Sequence, residues 1–281
     1  MSAYTPLSPD ARLGVVGLAV SDLARSTEFY AETLGMAALD HTADRAIMGI
    51  ADGTPLIALI GQPGAQPQPR FSTGLFHVAV LLPSRADLGA WLLHVARTGY
   101  ALQGASDHFV SEAIYLADPD GSGIEIYRDR PRSEWTYAGG ELNIGTVALD
   151  LDGVLDAGRD QAWDGIPNGT TIGHMHLRVG EIDAAVRFYR DLIGFDVMMH
   201  APGAVFMAAG GYHHHLGANT WGSRGAPPPP SEAVGLRYFT LMTPDVVQVE
   251  ARLRAAGHPV QVEDGGLIAV DPSGNTVRIS A

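Results

Sequence analysis

The sequence predicts an α+β protein of two domains, assembled from four copies of one strand–helix unit. Three observations carry this reading. Gly14 to Met36 and Gly173 to Phe195 share a pattern, in which Leu18-Ala-Val20-Ser-Asp22-Leu23 aligns with Leu177-Arg-Val179-Gly-Glu181-Ile182, and Phe29-Tyr30 with Phe188-Tyr189. Gly74-Leu-Phe-His77-Val-Ala-Val aligns with Gly235-Leu-Arg-Tyr238-Phe-Thr-Leu, and Asp118-Pro-Asp-Gly121 with Asp271-Pro-Ser-Gly274. Alternating apolar residues, then an acidic turn, then apolar residues at helical spacing read as a strand feeding an amphipathic helix. Internal repetition at this length restricts the choice of fold sharply.

The units lie near 11–62, 72–130, 170–221 and 234–281. In the first, the strand before Asp22 leads into a helix with Phe29 and Tyr30 on its core face, ended by a left-handed cap at Gly35. The third repeats this with Phe188, Tyr189 and Gly194. In the second and fourth, Asp-Pro-x-Gly is a turn between apolar strands, because Pro presets one dihedral and Gly tolerates positive φ. Arg130 through Gly169 has weak strand potential around Thr146 to Leu151 and several turn formers, and reads as a connection. The expected division is an N-terminal domain over 1–135, a connection over 136–169 and a C-terminal domain over 170–281. Gly225-Ala-Pro-Pro-Pro-Pro230 reads as a rigid surface spacer between the third and fourth units.

Composition narrows the function. With 281 residues and 46% apolar content, the chain can bury a substantial core. No apolar run reaches the roughly 18 to 20 residues that cross a bilayer, and the first residues lack the basic and apolar regions of a signal peptide, so cytoplasmic residence is expected. A net charge of −13 and the lack of a basic patch argue against a nucleic-acid partner. Cysteine is absent, which excludes disulfides, thiolate nucleophiles and sulfur-ligated metals. Lysine is also absent, all 18 basic residues being Arg, which excludes Schiff-base chemistry and a Walker-type phosphate lysine. Sites built from His and carboxylate remain.

Among these, His77 opens an apolar strand, and Glu125 lies inside the apolar run Gly123-Ile-Glu125-Ile-Tyr127. A lone His on a strand is ordinarily a packed or surface residue. A carboxylate among apolar residues is costly to bury unless it is paired or metal-bound, so the two together point to ligands rather than to a structural salt bridge. His174 begins a related strand in the other half, and its register with His77 favours it over His176, which lies on the same strand face. Two imidazoles and one carboxylate suit divalent iron, and manganese is compatible with the same donors. His213, His214 and His215 read on their own as a polar stretch or an adventitious metal-binding tract, with His214 facing opposite to its neighbours. His108 and Tyr115 read as a loop histidine and a core aromatic. His41, His94, His200 and His258 carry no functional reading.

Taken together, the repeats, the Gly211-Tyr-His-His-His-Leu-Gly-Ala-Asn-Thr-Trp221 run and the Asp-Pro-Asp-Gly…Glu125 run resemble the vicinal oxygen chelate superfamily, and within it the extradiol dioxygenases of the catechol 2,3-dioxygenase type. The resemblance covers nearly the whole chain. It implies βαβββ units paired into half-closed barrels around a metal. In better-known members the metal lies in the barrel of the third and fourth units. Here Tyr238 stands where the ligand His is expected and Arg278 where the ligand Glu is expected; Arg offers only donors and a fixed charge. The second unit holds both missing ligands, while the first has Val15 and Ile57 at its equivalent positions. The economical solution pairs unit two with unit three and brings His77, Glu125 and His174 onto one metal, with units one and four forming a metal-free barrel.

The resemblance further implies that Fe(II), or Mn(II), binds a catechol-type diol and O2, and that the ring opens beside the diol to a hydroxymuconic semialdehyde. His214 would be the acid–base residue, with His215 taking its place after a one-residue register shift. His108 and Tyr115 would hydrogen-bond the substrate. The implied partners are the aromatic diol and O2, with neither membrane nor nucleic acid, and a homo-oligomer is expected. The alternatives are an oxygen-independent glyoxalase-type isomerase or lyase, whose sites carry two carboxylates and a fourth protein ligand, and a ligand-sequestering binding protein without a metal triad.

Overall fold

A computed structural model describes residues 4–281. Each of the four units folds as βαβββ. The first comprises β1 (Arg12–Val20), α1 (Leu23–Glu32), β2 (Ala37–His41), β3 (Arg45–Gly49) and β4 (Pro55–Gly61). The second comprises β5 (Gly74–Leu81), α2 (Arg85–Thr98), β6 (Gly104–Asp107), β7 (Ser111–Ala117) and β8 (Gly123–Asp129). The connection supplies short strands β9 (Tyr137–Ala138), β10 (Glu141–Leu142) and β11 (Val147–Ala148), then helix α3 (Leu151–Gly158). The third unit holds β12 (Thr171–Arg178), α4 (Ile182–Val186, widening into a π-helix over Arg187–Ile193), β13 (Asp196–Ala201), β14 (Ala204–Ala208) and β15 (Leu216–Asn219). The fourth holds β16 (Gly235–Met242), α5 (Val246–Ala255), β17 (Val260–Glu263), β18 (Gly266–Val270) and β19 (Thr276–Ser280).

Capping accounts for several of these boundaries. Asp22 and Ser84 accept the backbone N–H three residues on and start α1 and α2, satisfying donors that have no partner within the helix. Gly35, Gly99 and Gly194 end the first three unit helices at φ of 75°, 71° and 112°, where a side chain would strain the backbone.

The strands form two large sheets. The eight-stranded one runs β17-β18-β19-β16-β1-β4-β3-β2 and the nine-stranded one β11-β6-β7-β8-β5-β12-β15-β14-β13. Units one and four therefore share one sheet and units two and three the other, joined by the antiparallel pairs β1–β16 and β5–β12. Each sheet takes one unit from either side of the 136–169 connection. A single apolar core, including Val16, Phe239, Met175 and Val78, runs through both.

Phe29, Tyr30, Phe188 and Tyr189 are buried, as the helical spacing predicts, and the two tyrosines also tie the sheets together. Tyr30 on α1 donates to Asp118 in the turn of unit two at 3.4 Å, and Tyr189 donates to Asp271 in the turn of unit four at 2.9 Å. In both turns the Asp Oδ1 also accepts backbone N–H groups, from Asp120 and Ser122 or from Ser273 and Asn275.

Two sequence expectations change here. The expected strand around Thr146 to Leu151 shrinks to β11, because Asp150 accepts the N–H of Gly153 and starts α3. The proline stretch is more than a spacer: the Pro227 carbonyl accepts the Thr73 N–H, and Pro228 packs under Gly274. Among the described residues no helix is long and apolar enough to cross a membrane.

Candidate metal centre

Three neighbouring strands of the nine-stranded sheet each contribute one ligand-type side chain. His77 lies on β5, Glu125 on β8, which runs parallel to β5, and His174 on β12, which runs antiparallel to it. Their ligand atoms form a small triangle: His77 Nε2 to Glu125 Oε2 is 3.0 Å, His174 Nε2 to Glu125 Oε2 is 3.2 Å, and the two Nε2 atoms are 3.2 Å apart. All three residues are buried, with 7%, 2% and 2% of their surface exposed.

This donor set fits a divalent cation. Ligand atoms at right angles around a metal ~2.1 Å away lie about 3 Å from one another, which is the separation found. Without a cation, the two imidazole nitrogens crowd one carboxylate oxygen, while Glu125 Oε1 stays buried with no hydrogen-bond partner. Protonation agrees. Burial pushes the Glu125 carboxyl up, but His174 and His77 together outweigh it and hold the group well below the usual carboxylate range. Burial pulls His174 down to about 4 despite Glu125, so at neutral pH its imidazole is neutral. An ionised carboxylate and a neutral imidazole are the forms that bind metal.

The triad forms the floor of a cavity of about 590 Å³. His108, Tyr115 and His214, the three predicted substrate-side residues, all line it. Tyr115 pairs with Glu125 across β7 and β8, and its hydroxyl is 2.7 Å from His108 Nε2. His108 Nδ1 lies 2.7 Å from the Gly145 carbonyl, which can only accept, so Nδ1 carries the proton and Nε2 accepts from Tyr115. Ile144, Gly145 and Thr146 close the cavity from the connection. Phe109, beside His108, is held at φ 67°, with its ring against Gly145.

The histidine run lies in a bent loop before β15, and only its middle member lines the cavity. The His214 ring is 4.2 Å from that of His174. His215 points away and accepts the Ala209 N–H, with burial pulling it down to about 3. His213 faces Asp129: its Nε2 is 2.8 Å from Asp129 Oδ1, and its Nδ1 is 2.8 Å from His214 Nδ1. The carboxylate accepts, so His213 Nε2 carries a proton. His213 Nδ1 then accepts the Nδ1–H of His214, leaving His214 Nε2 with a lone pair. Burial holds His214 well below the usual imidazole range, which favours this neutral form.

Asp129 and His213 carried no role in the sequence reading. A signal existed for Asp129, because Glu125, Tyr127 and Asp129 alternate along one strand and so share a face. His176, on the same strand face as His174, also lines the cavity, and its Nε2 is buried without a partner. In the other sheet, the equivalent positions hold an aromatic stack. Tyr238 pairs with Gly17 just as His77 pairs with His176; its ring lies where a Gly17 Cβ would be, and the Arg278 guanidinium sits 3.9 Å from the ring centre.

Fold and site together define a protein of the glyoxalase/dioxygenase superfamily. The model of the Glyoxalase/Bleomycin resistance protein/Dioxygenase superfamily matches residues 12–126 and 171–279, and the chain belongs to that superfamily. It is 40% identical over 276 residues to Catechol-2,3-dioxygenase of Bacillus subtilis (strain 168), spanning 95% of this chain and 96% of that protein. Biphenyl-2,3-diol 1,2-dioxygenase 3 of Rhodococcus globerulus is 27% identical over 135 residues, 46% of this chain and 71% of its own. The crystal structure of glyoxalase I from Zea mays shares the fold, with a TM-score of 0.59 and 16% identity over 96% of this chain and 92% of that one.

Proposed function

We propose that the protein is an extradiol dioxygenase that cleaves a catechol-type ring with O2, its metal held by His77, His174 and Glu125. The observation that carries this reading is the convergence of two imidazole nitrogens and one carboxylate oxygen within 3.2 Å of each other at a cavity floor, in a chain 40% identical to a catechol-2,3-dioxygenase. Ferrous iron, or manganese on the same donors, would when bound supply electrophilic activation of the diol and an electron path to oxygen.

The chain's own residues handle protons and position. His214 Nε2 takes a proton from a diol hydroxyl, and the resulting imidazolium is steadied through His213 by Asp129. Tyr115 and His108 form a donor–acceptor pair lining the same cavity, able to hold a substrate oxygen and return a proton to the opened product. Phe76, Phe206 and Trp221 supply an apolar wall that keeps water from the reacting ring. The ring bond beside the diol breaks, and both atoms of O2 enter the product, so no further oxidant or reductant is needed. A single carboxylate among the ligands favours this reading over the glyoxalase-type alternative. The proposal describes a cytoplasmic, homo-oligomeric enzyme of aromatic catabolism; its net charge of −13 supports a small-molecule partner rather than nucleic acid.

The test is oxygen uptake by anaerobically iron-loaded protein mixed with catechol in air. One O2 consumed per catechol, a yellow product and two 18O atoms incorporated from 18O2 are expected. Turnover of a hemithioacetal without oxygen uptake would replace the proposal with the isomerase reading.

A further inference from the structure

On β12, His174, His176 and Arg178 occupy alternate positions, and all three line the cavity. Four residues of strand place Arg178 about 13 Å along the backbone from His174, at the far end from the triad. Phe76, Phe206 and Trp221 line the space between.

Arg178 is half-buried and makes no hydrogen bond or ion pair; its close neighbour is the Phe76 ring, 5.7 Å from the guanidinium carbon. Every other arginine that is not exposed, among the described residues, has a polar partner: Arg85, Arg128 and Arg130 bind acids of the nine-stranded sheet, Arg190 binds Asp191, and Arg237 and Arg252 bind carbonyls. Among the described residues, Glu125 is the only acid lining the cavity, and it is engaged by the two histidines. A partly desolvated charge without a partner is costly, and in a chain of net charge −13 acids to pair with it are plentiful elsewhere.

We propose that Arg178 is the specificity residue of the cavity and receives the carboxylate of a catechol that carries it on a short apolar arm distal to the diol. The planar guanidinium fork matches a carboxylate with two parallel hydrogen bonds. The aromatic wall packs the arm, and the diol end rests on the dioxygenase reading above.

Anaerobic calorimetric titration of the iron-loaded protein reads binding without turnover. The probes are 3-(3,4-dihydroxyphenyl)propionate and its methyl ester. Wild type is expected to bind the acid about tenfold to a hundredfold tighter than the ester, as a charge-assisted hydrogen bond would give. Arg178→Met is expected to bring that ratio to about one, and Arg178→Lys to retain part of it. Equal affinities in wild type, or a preference that survives Arg178→Met, would overturn the assignment. Oxygen uptake with unsubstituted catechol separates the two claims: uptake without acid preference removes Arg178 alone, whereas acid preference without uptake keeps Arg178 and removes the dioxygenase.

Discussion

At the scale of single residues, the centre depends on the partnering of a few buried polar atoms. Glu125 carries the negative charge of the donor set, so Glu125→Gln should lower iron retention by at least tenfold, read by elemental analysis after dialysis; full retention would contradict its place as a ligand. Asp129 acts two bonds further out. Its carboxylate fixes which nitrogen of His213 is protonated, and through it which nitrogen of His214 keeps a lone pair. Asp129→Asn can donate instead of accept and so reverses the relay. A fall in kcat of about a hundredfold or more, with KM for catechol nearly unchanged, is expected by analogy with a carboxylate that sets an imidazole tautomer; an unchanged kcat would show that His214 is oriented by other means. The three ligand-type residues were legible because a carboxylate inside an apolar strand is anomalous in sequence. Arg178 sits at a strand end, where charged residues are common, and only the fold singles it out; Asp129 shares a strand face with Glu125, but its tie to His213 appears only in three dimensions.

At the scale of elements, two contacts are exacting. Helices α2 and α3 cross with backbone against backbone: a Cβ on Gly89 would lie 2.1 Å from the Val154 carbonyl oxygen, and one on Gly158 2.1 Å from the Ala90 nitrogen. Gly158→Ala is therefore expected to cost about 1–3 kcal/mol, the range for overpacking a tight contact, as a fall in the urea midpoint. Helix α3 was not legible as a helix, since its eight residues are short and its start depends on the Asp150 cap.

The buried Asp118 turn makes stability depend on pH. Burial raises its carboxyl from 3.8 to about 6. Unfolded chain ionises near pH 4, while the folded chain keeps the proton to about pH 6, so this group costs the native state stability as pH rises through that window. The full cost is about 3 kcal/mol. Asp118→Asn keeps an acceptor for the turn and cannot ionise. Its stability relative to wild type should rise between pH 4 and pH 7; a pH-independent difference would show that Asp118 ionises freely in the fold.

At the scale of the whole molecule, duplication has produced two sheets with different fates. Units two and three surround three ligand-type side chains, while at the equivalent positions of units one and four Arg278 stacks on Tyr238 over Gly17. The four repeats were readable because strand alternation and turn glycines recur, and the pairing of units across the connection followed from the complementary loss of ligands. The cavity wall from Ile144 to Thr146 was not readable, because a connection with little regular structure carries no periodic signal. The proposed centre is tested most directly by giving catechol in air to iron-loaded wild type, Glu125→Ala and Arg278→Ala. Oxygen uptake and a yellow product in wild type and Arg278→Ala, with neither uptake nor bound iron in Glu125→Ala, is the expected result. Uptake that survives in Glu125→Ala and disappears in Arg278→Ala would place the chemistry in the other sheet and contradict the assignment.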